Sequence, residues 1–325
     1  MKKTPFLALL AALPLPALAD VPRVVTDLPV VQSLAAQVMG DLGRPEVLLE
    51  QGGNAHSYQL KPSQAAALQS ADLVIWVGPE MTPWLDRALD AVTGAGAQLA
   101  LLHTPGTHLQ DFGGAPHAEH DDDAAEAHDH DEHAEGDEEH DHEEEGEEHH
   151  HHTGLDPHAW LAPGNAEVWL GQIAAALSEV DPEHAATYAA NAKAAQASVA
   201  ALDAKLRAEL APVAGRPFVV FHAAYGYLAA QYGLSVAGAV NLGDATSPGA
   251  AHLAELRADL AQQGVVCAFP EAQHDPKQIE ILLEGTQVKL GGALDPSGSA
   301  LSFGPGLYSD LMQGLADALS ACLQP

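Results

Sequence analysis

Short runs of β-branched and other apolar residues alternate with Ala- and Leu-rich stretches along most of this chain. Such alternation is typical of βαβ units, in which parallel strands form a sheet that helices cover on both faces. The pattern runs to residue 101, stops, and returns after residue 215. The sequence therefore predicts an α/β fold with two (β/α)4 lobes, each built on a parallel sheet.

Each lobe contributes four predicted strands and several helices. The predicted strands are Arg23–Thr26, Glu46–Leu49, Leu73–Val77, Gln98–Leu101, Phe218–Phe221, Val236–Val240, Val265–Phe269 and Gln287–Leu290. The predicted helices are Val30–Met39, Pro62–Gln69, Thr82–Val92, Ala223–Tyr232, Pro248–Gln263, Pro276–Glu284 and Ser309–Leu319.

One long helix, Pro182–Leu210, is predicted between the two lobes. Asp181 is placed to cap it, and Pro182 suits the first helical position. At this length the helix would span roughly 45 Å and join the lobes rigidly. Two shorter helices with a break between them are also compatible with the Ala-rich sequence. The apolar residues that form one stripe at spacings of three and four are Tyr188, Ala192, Ala195, Val199, Leu202, Leu206 and Leu210.

The N-terminus has the three parts of a secretory signal peptide. Lys2 and Lys3 precede the apolar stretch Phe6–Leu13, and the small residues Ala17–Ala19 form an A-x-A cleavage site. The apolar stretch is too short to span a bilayer. We expect cleavage after Ala19, export to a bacterial periplasm and a soluble mature chain.

These features divide the chain into four parts. The predicted parts are a signal peptide (1–19), an N-terminal lobe (20–180) with a disordered loop (113–153), a linking helix (181–213) and a C-terminal lobe (214–325).

The segment His117–His152 holds eleven histidines and eighteen acidic residues, without Lys or Arg. It is too polar to bury a core, so we expect a solvated loop. Acidic residues alone would serve solubility, whereas imidazoles bind zinc, copper and nickel. The segment is therefore predicted to bind transition metal. Its histidines are His117, His120, His128, His130, His133, His140, His142, His149, His150, His151 and His152.

The net charge of −32 excludes generic nucleic-acid binding, which requires a basic face. The chain has two cysteines, Cys267 and Cys322. In an oxidising compartment an isolated pair favours a disulfide over a metal site or a nucleophile. Such a bond would connect the C-terminus to a core strand.

A few histidines outside the loop occupy positions suited to ligand binding. His56 follows the second predicted strand, and His222 directly follows the first strand of the second lobe. Ligands of open α/β sheets bind beyond the carboxyl ends of strands, so these two would face each other across a cleft. His158 lies where the acidic segment rejoins the fold. Each alone is compatible with a surface or helix-capping role, whereas together they indicate a shared metal site.

Two acidic residues follow strands of the second lobe. Asp295 is a candidate fourth ligand, with water as the alternative; Asp-Pro is also a common turn pair. Three neutral imidazoles with a carboxylate or a water suit zinc, whereas manganese prefers more carboxylate. Glu271 either orients an imidazole or acts as the general base of a zinc hydrolase or hydratase. No G-x-S-x-G motif or phosphate-binding glycine loop accompanies it.

Several motifs together resemble those of the ZnuA-like periplasmic zinc-binding proteins of bacterial high-affinity ABC importers. The resemblance covers nearly the whole predicted mature chain, and an acidic His-rich loop before DPHAW is similar to the zinc rather than the manganese members. The motifs are Gly52–Ser63 (GGNAHSYQLKPS), Ala71–Glu80 (ADLVIWVGPE), Asp156–Asn165 (DPHAWLAPGN), Phe218–Leu234 (FVVFHAAYGYLAAQYGL), Cys267–Gln273 (CAFPEAQ) and Leu294–Gly298 (LDPSG).

The resemblance implies two (β/α)4 lobes joined by a rigid helix, with Zn²⁺ bound in the cleft between them. It places the metal ligands on His56, His158 and His222 and the disulfide on Cys267 and Cys322. Some relatives carry a histidine for a second ion in the region of Ser235–Leu242, which here has none. An auxiliary site would then come mostly from the acidic loop.

The function implied is capture of Zn²⁺ and its delivery to an inner-membrane ABC permease, without a chemical step. A periplasmic zinc metallochaperone is a further candidate partner, and a monomer is expected. The alternatives are a zinc-dependent hydrolase or hydratase and a manganese-binding relative.

Overall fold

The computed structural model describes residues 21–92, 96–112, 154–241 and 249–324. The predicted signal peptide (1–19) and acidic loop (113–153), with the eleven loop histidines, therefore lie outside the described residues.

The described residues form two parallel four-stranded sheets, which confirms the predicted fold class. In the first sheet the order is β2-β1-β3-β4, and in the second it is β6-β5-β7-β8. Most strand ends differ from the predicted ends by one or two residues. The strands are β1 (Val24–Thr26), β2 (Glu46–Val47), β3 (Leu73–Trp76), β4 (Ala97–Ala100), β5 (Pro217–His222), β6 (Ser235–Asn241), β7 (Cys267–Phe269) and β8 (Lys289–Leu290).

Nine α-helices cover these sheets within the described ranges. None of them combines the length and the apolar character that a membrane span requires. The helices are α1 (Pro29–Met39), α2 (Pro62–Ser70), α3 (Pro83–Ala91), α4 (Pro163–Val180), α5 (Ala185–Leu210), α6 (Gly226–Tyr232), α7 (Ala250–Gln262), α8 (Lys277–Leu283) and α9 (Leu307–Leu323).

Successive side chains along the strands belong in turn to a central core between the two sheets and to a smaller apolar cluster on the outer face of each sheet. In β5, Phe218 and Val220 belong to the central core, whereas Val219 and Phe221 belong to the outer cluster. Successive side chains of a strand point to opposite faces, so His222 shares the inward side with Phe218 and Val220. The last residue of β5 thus points its imidazole toward the other sheet.

The linking helix is continuous, as predicted. Two 3-10 turns flank α5, so the helical segment Pro182–Val213 covers 32 residues. The α-helical part alone is about 39 Å long at 1.5 Å per residue. Its buried side chains include Tyr188, Val199 and Leu206, which belong to the same core cluster as strands of both sheets. One helix therefore packs against both halves of the molecule.

Two details near this helix differ from the predictions. Asp181 does not cap the helix with its side chain; its Oδ2 instead accepts hydrogen bonds from the Tyr188 hydroxyl and the His184 Nδ1, both at 2.7 Å. The partly exposed His184 therefore has a local structural role. The pattern of alternating strands and helices also does not predict helix α4. Its residues Trp169, Leu170 and Ile173 nevertheless recur at helical spacing and are fully buried.

Contacts across the two halves add to the rigidity of the frame. The Tyr308 backbone N–H donates to Ser33 Oγ at 3.1 Å, and the Tyr308 hydroxyl donates to the Trp160 carbonyl at 3.0 Å. The Trp160 indole N–H donates to the Pro296 carbonyl at 2.8 Å. These buried bonds fix the C-terminal helix and the segment before α4 relative to α1.

Asp27 is a buried carboxyl at the carboxyl end of β1. It accepts hydrogen bonds from the backbone N–H groups of Leu28 and Val77, at 2.7 and 2.9 Å, and from the Thr82 hydroxyl at 3.2 Å. Burial outweighs these donors and raises the pKa of Asp27 to about 7. The folded state therefore holds this proton more tightly than the unfolded chain does.

This shift predicts that stability falls as pH rises. The stability that the neutral Asp27 carboxyl contributes is complete at low pH and is lost as pH rises from about 4 to about 7. Between pH 5 and 7.5 the free energy of unfolding should decrease by about 2–3 kcal/mol through this group. Urea unfolding of the metal-free protein at both pH values measures it, with Asp27→Asn as the non-titrating control. Equal pH dependence of the two proteins would contradict the shifted pKa.

Candidate metal centre

The structure brings His56, His158 and His222 together between the two sheets. Their ring centroids lie 5.4 Å apart for His56 and His158, 5.4 Å for His158 and His222, and 6.1 Å for His56 and His222. One nitrogen from each ring lies within 4.8 Å of the other two. Among the described residues this is the group of His, Cys, Asp and Glu side chains that is placed to share one metal ion.

Local turns position two of these histidines. Asn54 Oδ1 accepts the backbone N–H of His56 at 2.8 Å, and Asp156 Oδ1 accepts the backbone N–H of His158 at 3.0 Å. Both are turns in which a side chain oxygen bonds the backbone two residues later. The Trp84 indole also donates to the Ala55 carbonyl at 2.7 Å, which anchors the His56 loop on α3.

His158 is almost fully buried, and one of its two ring nitrogens is hydrogen-bonded to a carboxylate. Its Nδ1 donates to Asp156 Oδ1 at 2.8 Å, which leaves the lone pair of a neutral ring on Nε2. This Nε2 is buried and has no hydrogen-bond partner among the described residues. A buried nitrogen acceptor without a partner costs about 1–3 kcal/mol, and a bound metal ion would remove that cost.

His222 is oriented by a carboxylate in the same way. Its Nδ1 lies 2.6 and 2.7 Å from the two Glu271 oxygens, and the Tyr225 hydroxyl donates to Glu271 Oε1 at 2.9 Å. Glu271 is 3% exposed. It follows β7 with the parity of the inward residues Cys267 and Phe269, which explains why it meets His222. The carboxylate fixes the ring so that Nε2 faces the other histidines.

The three imidazoles border a cavity of about 30 Å³. A volume of about 10–15 Å³ is enough for one water molecule, so this cavity has room for an ion with a water or two. It also touches Met81, Pro296 and Ser297 at its buried end. Two carboxylates, Asp156 and Glu271, lie behind the imidazoles and would offset the charge of a bound divalent ion.

Asp295 is not brought into this group. Its Oδ1 accepts from the Gln273 amide at 2.8 Å and from the backbone N–H of Ser299 at 3.1 Å, and its Oδ2 accepts from the backbone N–H of Ala300 at 2.9 Å. The carboxylate therefore satisfies the donors of its own turn. This arrangement matches the turn chemistry of Asp-Pro.

The turn role of Asp295 gives a prediction. Asp295→Ala should lower the free energy of unfolding by about 1–3 kcal/mol, because it leaves turn N–H groups without an acceptor. The affinity for one zinc ion should change less than tenfold, far less than the loss of a ligand would cause. Denaturant unfolding and a competitive chelator titration on the same variant separate the two effects. A zinc affinity reduced by orders of magnitude would restore Asp295 as a ligand.

The disulfide predicted for Cys267 and Cys322 is confirmed. The two sulfur atoms are bonded, and the bond joins β7 to α9 across a sequence separation of 55 residues. Cys267 is fully buried and lies at the start of β7, whereas Glu271 lies beyond its carboxyl end. The bond therefore stabilises the second sheet away from the cavity.

Sequence reasoning missed three residues that support the site. Asp156 is recognisable from its position two residues before His158, which is the spacing of an Asx turn. Tyr225 has no comparable signal, because its contact with Glu271 depends on how the turn after β5 folds. Gln273 donates to Asp295 and to the hydroxyls of Ser297 and Ser299. It holds the turn that covers the buried end of the cavity.

Curated relatives match nearly the entire chain. The high-affinity zinc uptake system protein ZnuA of Paracoccus denitrificans is 56% identical over 316 residues, which are 97% of this chain and 96% of that protein. The protein of the same name from Brucella abortus is 39% identical and covers 92% of this chain and 91% of its own length. A crystal structure of ZnuA superimposes with a TM-score of 0.72 at 23% identity, over 94% of this chain and 100% of the other, and this likeness concerns the fold.

The family described as zinc-uptake complex component A, periplasmic (ZnuA), matches residues 24–322. This range begins at β1 and ends within α9, so it includes both sheets, the linking helix and all three clustered histidines. The match also confirms the resemblance drawn from the sequence motifs. The chain therefore belongs to the ZnuA family of periplasmic zinc-uptake components.

Proposed function

We propose that this protein is a periplasmic solute-binding protein that captures Zn²⁺ with high affinity and delivers it to an ABC permease. One observation carries the proposal: imidazoles from both halves of the molecule meet at a small cavity, and the buried Nε2 of His158 has no protein partner among the described residues. The family and the names of the relatives support the same assignment.

Zinc is the ion that suits this set of donors best. Three neutral imidazoles with a water complete the four-coordinate geometry that zinc favours. Manganese prefers oxygen ligands, and Asp295, the carboxylate that would supply one, is bonded within its own turn. Structural neighbours of the same fold hold manganese or cadmium, at 21% and 18% identity. The donor set here therefore favours the zinc alternative over a manganese-binding relative.

The enzyme alternative would place an organic substrate in the cavity beside the three imidazoles, which is small for one. Sites for small organic ligands occupy about 300–1,000 Å³, whereas this cavity measures about 30 Å³. Glu271, the candidate general base, has its Oε1 engaged by both His222 and Tyr225. The geometry supports binding and release of an ion without chemistry, in agreement with a family of transport proteins.

The acidic segment His117–His152 is proposed as an auxiliary zinc-binding segment. Its eleven histidines and many carboxylates would bind several ions weakly and raise their concentration near the cleft.

The proposed setting is the periplasm, after export by the N-terminal signal peptide. The proposed direct partner is the inner-membrane permease of a zinc ABC importer. A periplasmic zinc metallochaperone as a donor and a monomeric state are further proposals, which follow from the resemblance of the sequence motifs. Sedimentation of the mature chain with and without zinc tests the monomer.

Titration calorimetry tests the division of labour between the cavity and the loop. Zinc is titrated into the metal-free mature protein and into a variant in which all eleven loop histidines are replaced by Gln. The wild type should show one tight site and several weaker ones, and the variant should keep only the tight site. A Gln substitution preserves chain length and net charge, which makes the two proteins comparable. Loss of the tight site in the variant would contradict the proposal.

A further inference from the structure

The cavity opens to solvent between two short segments, one from each half of the molecule. Its buried lining includes Met81, His158, His222 and Glu271. The lining residues that retain partial exposure are Gly53, Asn54, His56, Gln273 and His274. The mouth of the cavity is therefore bounded by His56 on the N-terminal side and by His274 on the C-terminal side.

His274 is held in a defined position at this mouth. Its ring stacks on Phe221, with centroids 4.3 Å apart and planes 23° from parallel. Its Nε2 lies 4.0 Å from Glu271 Oε2, and its side chain is 29% exposed. Its backbone N–H donates to the Glu271 carbonyl at 3.2 Å, which closes the turn after β7. A fixed imidazole beside a buried carboxylate is a favourable first contact for a cation.

His274 is not part of the converging group, which consists of His56, His158 and His222. It therefore lines the cavity without sharing the resting position of the ion. An ion that moves from solvent to the buried nitrogens of His158 and His222 must pass the mouth, where His274 and His56 stand on opposite sides.

We propose that His274 is a transfer ligand that binds the divalent cation transiently on its way into and out of the cavity. This inference rests on the proposed function. One water of the hydrated ion is replaced by the His274 nitrogen at the mouth. That nitrogen is then exchanged for an imidazole of the resting site, so the ion is never stripped of several waters at once. Release follows the same steps in reverse.

A transfer ligand changes rates and leaves the equilibrium nearly unchanged. It lowers the barrier for entry and for exit by the same amount, because both pass through one intermediate. Loss of the His274 nitrogen should therefore slow association and dissociation together by roughly tenfold, since the local imidazole that assists each step is removed. A resident ligand would behave differently, because its loss would speed dissociation and weaken affinity.

Stopped-flow exchange on the full mature chain tests the proposal. Zinc release is measured by mixing the zinc-loaded protein with an excess of a chromogenic chelator, and entry by mixing metal-free protein with buffered zinc. His274→Phe keeps the ring on Phe221 and removes the nitrogen, while His274→Gln removes the ring. His103→Phe is the matched control, because His103 pairs with Glu80 and does not line the cavity.

We expect both His274 variants to exchange zinc about tenfold more slowly than the wild type and the control, with affinity within about twofold. Wild-type rates in His274→Phe would overturn the proposal, whether or not His274→Gln is slowed. A large loss of affinity would also overturn it, by making His274 a resident ligand. A wild type without a tight zinc site would instead refute the proposed function, so the two failures are distinguishable.

Discussion

Replacement of His222 by Ala should weaken the binding of one zinc ion by about 1,000-fold. Zinc sites with four ligands bind with about 10–16 kcal/mol, so the loss of one ligand removes roughly 3–4 kcal/mol. Asp156 cannot compensate for the lost imidazole, because its Oδ1 accepts hydrogen bonds from the backbone N–H and the Nδ1 of His158. The remaining His56 and His158 would leave a two-ligand site.

Glu271→Gln is the matched comparison for this experiment. It retains the size of the side chain and the contact with Tyr225, but it weakens the hold on the His222 ring. Loss of a supporting partner of this kind costs about 10–100-fold in metal affinity. The larger loss of zinc affinity in His222→Ala than in Glu271→Gln therefore distinguishes a residue that binds the ion from one that orients the ligand.

Competition with a chelator of known affinity measures both variants at a zinc level too low to fill the weaker sites proposed for the acidic segment. Urea unfolding of the metal-free proteins is the control, since His222→Ala leaves the buried Glu271 with fewer donors and lowers stability by about 1–3 kcal/mol. His184→Ala is a second control, because His184 contacts Asp181 and is not one of the three clustered histidines; it should keep the wild-type affinity for zinc. Unchanged affinity in a folded His222→Ala protein would remove His222 from the site.

The sequence was sufficient for the architecture because the signals for strands and helices are local. Consecutive apolar residues such as Phe218, Val219 and Val220 indicate a strand with two buried faces, and the spacing of apolar residues in α5 indicates a helix. The same spacing is present in α4, but α4 lies between the acidic segment and the long helix, where the sequence pattern of alternating strands and helices is interrupted. Strand ends shift because hydrogen bonding between strands, rather than composition, decides where a ladder stops.

The candidate site was predictable only in part. His222 and Glu271 continue the inward parity of their strands, so the sequence does indicate that they point toward the centre. His158 lies in no strand, and its place beside His222 depends on the path of the chain before α4. For Asp295 the turn competes with the ion for the carboxylate, and the hydrogen bonds from the backbone N–H groups of Ser299 and Ala300 favour the turn. Such hydrogen bonds are set by tertiary packing, which sequence spacing does not describe.

Removal of the disulfide should lower the free energy of unfolding by about 4 kcal/mol, with zinc affinity nearly unchanged. A bond that closes a loop of 55 residues restricts the unfolded chain, and the chain-entropy relation gives about this value. The affinity should hold because neither Cys267 nor Cys322 lines the cavity. Within the second sheet, β5 continues to hold His222 and the end of β7 continues to hold Glu271.

Two forms of the protein without the disulfide distinguish the stability that the crosslink contributes from the stability that packing around the sulfur atoms contributes. The double variant Cys267→Ala with Cys322→Ala removes the bond and also leaves a small cavity at the buried Cys267. Wild-type protein reduced with a phosphine keeps both sulfur atoms, so its loss of stability reports the crosslink alone. Urea unfolding without metal should show a large loss in both, slightly larger in the variant. A loss below about 1 kcal/mol in the reduced wild type would mean that β7 and α9 hold together without the bond, and that the packing of Leu315 and Leu319 in the core anchors the C-terminal helix.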